Sequence, residues 1–283
     1  MSSLIFLPVA CAASLYAFGS HGIKRSMELG AKSRKATAVT NLMMAAWSLP
    51  LFFVSRGDFD LGAWLTAIAA GAALFVGRIF SVKALETGDL SIVGPLLGMK
   101  TLLVAVFALI TGLTTFHPWL WAAVLLATVG VLLLQLSPAQ QAKHVRKAAL
   151  YAGAASILFA LTDILIVEAR GQLGIGWLTP TLFMTVALLT PLLGKQPAAP
   201  ELARKPLYFG SVVMGFQTSL VVFMIGITGE AVIINIIYAT RALWTVVVDR
   251  ALNRSEIVKA YFMPRMVGAV CLVSAVVVVI ILR

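Results

Sequence analysis

Charge is almost absent from long stretches of this sequence. From residue 4 onward, apolar runs of about twenty residues follow one another, each closed by a short polar connection. A bilayer core about 30 Å thick is crossed by a helix of roughly 20 such residues. Ten spans are expected, near 4–23, 37–55, 62–86, 90–112 and 118–136, then 147–169, 175–194, 206–228, 231–252 and 261–282. Of the 283 residues, 60% are hydrophobic and 12% charged, against roughly 45–50% and about 25% in a soluble domain. One globular core could not bury that much apolar surface. The excess must face lipid, which excludes a soluble enzyme and a secreted domain. Ten spans leave about 80 residues for all connections, so no extramembrane domain is expected. The segment 4–23 has its basic residues after it (Lys24, Arg25) rather than before, the reverse of a signal peptide. The expected fold class is an all-α polytopic membrane protein.

The net charge of +11 comes from 22 basic and 11 acidic residues. Nucleic-acid binding would need the basic residues on one accessible patch. Instead, 14 of them fall in four alternate connections: Lys24, Arg25, Lys32, Arg34 and Lys35; Lys143, Arg146 and Lys147; Lys195, Arg204 and Lys205; Arg250, Arg254 and Lys259. The intervening connections show Arg56 and Arg170, with Arg283 at the end. This is the positive-inside pattern. It predicts an inner (plasma) membrane protein with both termini on the non-cytoplasmic side, and no nucleic-acid partner. Cys11 and Cys271 read as two small buried apolar residues, and the three scattered histidines suggest no metal site.

The chain also carries an internal repeat. Thr87-Gly88-Asp89-Leu90-Ser91-Ile92-Val93 matches Thr228-Gly229-Glu230-Ala231-Val232-Ile233-Ile234 at an offset of 141, which lays Lys100 on Arg241. Leu15-Tyr16-Ala17 aligns with Leu158-Phe159-Ala160 at 143, a shift that one small loop insertion explains. Two units follow, residues 1–142 and 143–283. With five spans each, the second enters the membrane from the opposite side. The expected architecture is two inverted five-helix repeats around a central cavity, with substrate near the midplane.

A charged side chain at bilayer depth costs at least about 2.5–3.5 kcal/mol, so it is paired or faces a wet cavity. Lys100 lies ten residues past Leu90, and Arg241 ten past Ala231. Both are about 15 Å deep, from opposite sides. Each is either neutralised by an acid on another helix, such as Asp163, or forms an anion site. In the second case Arg241 is a planar fork and Lys100 a point charge. Tyr238, three before Arg241, shares its face; Asn235, six before, fits that face less well. Trp244 either stacks in the site or faces lipid. Gln217 is mid-span in the eighth helix, and Arg78 lies in the third span, lining an inner vestibule or snorkelling. Tyr16 and His21 are further cavity candidates, His21 also as a proton carrier. Asp163, toward the outer end of the sixth span with Glu168, is a candidate proton-coupling group or a cation's fixed partner. Gly94, Pro95 and Gly98 interrupt the fourth span before Lys100; no Gly or Pro precedes Arg241, so that helix is expected to be stiffer. Gly71, Gly77, Gly210 and Gly215 allow close helix approach.

On these features the chain resembles the drug/metabolite transporter superfamily, in particular its ten-span EamA-type transporters. The carriers are the five-plus-five layout, the long third span, and the turn Leu85-Glu86-Thr87-Gly88-Asp89 into a fourth span bearing Gly94-Pro95. The ending Asp249-Arg250-Ala251-Leu252-Asn253-Arg254-Ser255-Glu256 before a span containing Gly268 also fits. The resemblance implies a basket of ten helices working by alternating access. Many members are described with cytoplasmic termini, the opposite of what the charges predict here. Sugar-phosphate translocators of the same superfamily hold phosphate with basic residues on the fourth and ninth spans, where Lys100 and Arg241 stand. The expected function is secondary transport of a small organic anion or phosphate-bearing metabolite. Two alternatives stand beside it: a proton-coupled exporter of amino acids or other zwitterions, and a translocator of a phospholipid or lipid-linked headgroup. The expected partners are thus an anionic or zwitterionic small molecule, protons as a coupling ion, and membrane lipids, with the chain a monomer or homodimer. No nucleophile–base pair, HExxH motif or ATP site occurs, so no enzyme activity and no cofactor are expected.

Overall fold

The computed structural model describes residues 2–54, 57–87, 90–135, 145–253 and 262–281. Arg56, Asp89, Lys143, Arg254, Lys259 and Arg283 lie outside them, as does the repeat boundary expected near residue 142. The described chain is helical: α1 (Ser2–Glu28), α2 (Ser33–Ser48), α3 (Leu61–Thr87), α4 (Leu90–Gly98), α5 (Lys100–Ile110), α6 (Pro118–Leu134), α7 (Val145–Leu189), α8 (Glu201–Thr228), α9 (Ala231–Ala239), α10 (Arg241–Asn253) and α11 (Phe262–Ile281). Tight turns at Leu49–Phe53 and Thr190–Leu193 finish α2 and α7. Among the described residues, seven helical runs are long and apolar enough to cross a bilayer. Leu96–Ile110 and Pro118–Leu134 are shorter apolar helices. The chain is a multi-pass, all-α membrane protein.

At 45 residues, α7 would be about 68 Å long if straight, over twice the hydrocarbon thickness. It is not straight. Gly174 takes φ 63° and ψ 166° and turns the chain where a connection was expected between residues 169 and 175. That turn meets the segment before α3, where the Gly57 N–H donates to the Leu173 carbonyl at 2.8 Å. A Cβ on Gly57 would overlap the Gln172 carbonyl. Asp60 then caps α3, its carboxylate accepting the Ala63 N–H at 2.6 Å.

Small residues bring the helices together, beside buried large ones such as Phe183, Met44 and Leu182. The interior is rich in alanine, including Ala12, Ala13, Ala17, Ala67, Ala70, Ala127, Ala152 and Ala155, while Leu7, Phe53, Ile110 and Leu188 are exposed. Lipid chains are as apolar as leucine, so large side chains are tolerated on the outer surface, while small residues let backbones approach and gain dispersion and polar contacts. Gly22 and Gly210 meet at the crossing of α1 and α8, and Gly71 of α3 lies against the backbone of Leu182. Gly77 faces Phe159 and Gly215 faces Met43. In these contacts α3 packs mainly on α7, and α8 mainly on α1 and α2. Cys11 departs from the expectation of burial. It is exposed because α1 turns its neighbours Val9, Ala12 and Ala13 inward. Cys271 is half-buried.

Candidate functional site

Both deep cations stand at the start of a helix. The fourth expected span is interrupted by a tightened turn at Met99, between α4 and α5, and the ninth by one at Thr240, between α9 and α10; both residues keep right-handed helical angles. The first break follows from Gly94, Pro95 and Gly98. The second was not expected, and Thr240 supplies its cause. Its hydroxyl donates to the Ile237 carbonyl at 2.7 Å, and its N–H donates to the same carbonyl at 3.1 Å. A threonine bonding back onto the preceding turn tightens it without glycine or proline. In the first break, the Leu96 carbonyl accepts the Met99 N–H at 3.3 Å and the Ser156 hydroxyl of α7 at 2.7 Å. A neighbouring helix thus satisfies a carbonyl that the break releases, as a membrane interior requires. Gly94 and Gly98 also have a packing role, since a Cβ at either would meet the side chain of Gln135 or Val131.

The two cations meet different surroundings. The Lys100 ammonium lies 2.8 Å from an Asp163 carboxylate oxygen, with side chains 14% and 5% exposed. The Asn235 amide donates to that same oxygen at 2.6 Å and to the Ala231 carbonyl at 2.8 Å. Asp163 is therefore held by a charge and an amide together. It sits eleven residues before the Gly174 turn, about 16 Å along the helix. The Asp163 side of the cluster is closed to water by these contacts.

Arg241 has no carboxylate within ion-pair distance among the described residues. Its guanidinium carbon lies 4.5 Å from the Tyr238 ring centre and 4.9 Å from that of Tyr16. The two rings meet edge to face at 86°, with centres 6.2 Å apart. The buried Tyr238 hydroxyl donates to the Gln217 side-chain carbonyl at 2.7 Å, and the Gln217 amide donates to the Thr218 hydroxyl at 2.7 Å. Cation–π contact and the Tyr238 hydroxyl partly compensate the desolvated guanidinium, and its planar fork suits a carboxylate or phosphate. Asp163 and Arg241 are within electrostatic range of one another, as are Lys100 and Arg241. The cluster is thus one polar core with a neutralised end at Lys100 and a positive end at Arg241.

Of the expected site residues, Lys100, Asp163, Asn235, Arg241, Tyr238, Gln217 and Tyr16 come together here. Asn235 enters through Asp163 rather than through Arg241, the partner against which its helix face was judged. Trp244 is 40% exposed and makes none of these contacts. His21 is half-buried beside the glycine crossing of α1 and α8, and makes none of these contacts. Glu168 is exposed. Arg78 lines a separate cavity nearer the end of the molecule that carries Lys24 and Lys32. It makes no ion pair with Glu86, which instead accepts the Ser33 hydroxyl at 2.5 Å. Two residues of the cluster's framework were missed by sequence reasoning. Ser156 and Thr240 hold the helix breaks, and only their hydroxyls mark them in a run of apolar residues.

No family model matches the sequence, and no match to a curated protein is found. The fold is shared with a solved protein crystal structure at a TM-score of 0.75 and 16% identity, over 99% of this chain and 97% of that one; this likeness establishes a shared whole-chain fold.

Proposed function

We propose that this chain is a secondary transporter of a small anionic metabolite, of the drug/metabolite transporter type, working by alternating access with Arg241 as the anion-binding group. The observation that carries this reading is the Arg241 guanidinium. It is held between Tyr16 and Tyr238 with no carboxylate partner among the described residues, while Lys100 a short way off has one. A cation so deep in an apolar chain, with no carboxylate in contact, is favoured by an anionic visitor. Asp163 and Lys100 then act as a second, switchable element: the pair holds while the site is empty and opens when an anion or a proton competes for either member.

The reading takes the ten spans as two inverted five-helix repeats. Support comes from three pairings. Helix breaks precede both Lys100 and Arg241, at the same repeat offset of 141. The packing of α3 on α7 has its counterpart in that of α8 on α1. And Lys100 reaches the first helix of the second half, as Arg241 reaches the first helix of the first half.

A zwitterionic substrate is a second reading, favoured by the closeness of Asp163 to Arg241. Arg241 would take the carboxylate and Asp163 the amine. Thermal shift of the purified chain with a panel of carboxylates, phosphate monoesters and amino acids tests both. Simple anions are expected to stabilise the wild type and Asp163→Asn, but not Arg241→Gln; Arg241→Lys keeps part of the effect. Stabilisation by amino acids alone, lost in Asp163→Asn, selects the zwitterion. Undiminished stabilisation by anions in Arg241→Gln refutes the proposal.

A further inference from the structure

A second cavity, of about 270 Å³, lies apart from the polar core. It opens between the last turns of α1, the first turns of α2 and the second half of α3. Its walls are largely apolar, with Ile23 and Met27 from α1 and Val82 and Leu85 from α3. Its hydroxyl groups are already committed. Thr37 donates to the Ser33 carbonyl and Thr40 to the Ala36 carbonyl, at 3.0 and 2.8 Å. Glu86, at one edge, is occupied by the Ser33 hydroxyl.

Arg78 is the exception. It faces this cavity, its buried Nε has no hydrogen-bond partner, and no carboxylate lies within ion-pair distance among the described residues. An arginine offers five N–H donors in a fixed fork and no acceptor. Left unsatisfied beside an apolar wall, such a group costs free energy that a bound anion would recover. The volume is just under the ~300 Å³ at which ligand pockets begin. It suits a small head with one short apolar chain, or the upper part of one lipid.

We infer that this cavity is a binding site for a singly tailed or lipid-borne anion, with a carboxylate or phosphate on Arg78 and the apolar part along Ile23, Met27, Val82 and Leu85. The site is distinct from the one at Arg241 and does not depend on the transport reading. Tyr16 is within electrostatic range of both guanidinium groups.

The test uses the full chain in phosphatidylcholine nanodiscs, with octanoate and octyl phosphate as soluble probes and calorimetric titration as the readout. Arg78→Gln is expected to weaken both probes about tenfold or more, the loss of a charge-assisted hydrogen bond, and Arg78→Lys to weaken them less. The titrations are repeated on an Arg241→Gln background, which removes the anion site of the proposed function and should leave the Arg78-dependent binding in place. Val82→Trp keeps the charge but fills the space, and should also abolish binding; it carries the test if Arg78→Gln does not fold. Native mass spectrometry after reconstitution with phosphatidylglycerol separates the two sources. Lipid retained by the wild type, lost in Arg78→Gln and displaced by octanoate identifies a lipid headgroup; no retained lipid identifies a free anion. Probe affinity unchanged in both Arg78→Gln and Val82→Trp overturns the inference. So does the absence of any Arg78-dependent binding on the Arg241→Gln background, which would mean a single shared site.

Discussion

The Lys100–Asp163 pair can be tested separately from any substrate. The two groups are 2.8 Å apart and 14% and 5% exposed, so solvent screens them little. Removing one partner of such a pair strands a buried charge and costs about 3–5 kcal/mol, whereas removing both charges together is often nearly neutral. Asp163→Asn is a clean perturbation, because the new amide oxygen can still accept the Asn235 donor now bound to Asp163. Only the charge is lost. Lys100→Met keeps the length of the lysine stem and leaves Asp163 with the Asn235 bond alone. At about 2–4 °C per kcal/mol for chains of 150–250 residues, each single variant is expected to melt about 6–20 °C below wild type. The double variant Lys100→Met/Asp163→Asn should return to within about 4 °C, giving a coupling energy of about 3 kcal/mol or more. Intrinsic tryptophan fluorescence during heating in detergent measures all four corners of the cycle. Single variants within about 2 °C of wild type, or a double variant whose loss is the sum of the singles, would refute a buried ion pair at this position.

Two further expectations concern backbone contacts, and unfolding temperature checks both. Gly130 of α6 and Gly268 of α11 face one another so closely that a Cβ on either would lie 2.8 Å from the other's carbonyl oxygen; Gly130→Val or Gly268→Val should destabilise by about 1–3 kcal/mol, while Gly153→Ala, with nothing within 4 Å of the new atom, should be neutral or gain up to about 1 kcal/mol. Gly229 ends α8 at φ 75° with its N–H on the Ile225 carbonyl, and a Cβ there would also strike the Arg170 guanidinium, so Gly229→Ala should cost at least the roughly 1–2 kcal/mol of a left-handed alanine.

The parts of this molecule that were legible in its sequence are those where the lipid imposes a rule on one residue at a time. Runs of apolar residues near twenty long mark helices because no other backbone arrangement satisfies itself in hydrocarbon. Lys100, Arg241 and Asp163 stood out because charge at that depth needs a reason. What stayed hidden were relations between helices. Asn235 looked peripheral when judged by its angle from Arg241, yet its partner is on α7, and helix-face arithmetic says nothing about a neighbour. The tightened turn before Arg241 carries no glycine or proline to mark it, because Thr240 achieves it with a hydroxyl. Residue type alone predicts a buried Cys11, whereas α1 presents it outward.

The difference between the two cations bears on mechanism. In a perfectly two-fold scaffold Lys100 and Arg241 would be equivalent, and an anion would sit equally between them. Here the helix approached by Lys100 offers Asp163, while the helix approached by Arg241 offers Tyr16. At the repeat offset of 143, the residue of α1 that corresponds to Asp163 is Ser20, and the residue of α7 that corresponds to Tyr16 is Phe159. The neutralising group is thus present on one side of the repeat and missing on the other. An anion at Arg241 meets no competitor within ion-pair distance among the described residues, but an anion bridging to Lys100 must displace Asp163 from a 2.8 Å contact. Protonating Asp163 removes that competition. Under the transport reading, proton uptake and anion binding at Lys100 then favour one another, and by linkage each raises the affinity for the other by the same factor. Asp163→Asn would fix the site in the state that protonation creates. It should tighten the binding of simple anions, remove its dependence on pH, and uncouple transport from a proton gradient. Anion affinity that keeps its full pH dependence in Asp163→Asn would place the coupling group elsewhere.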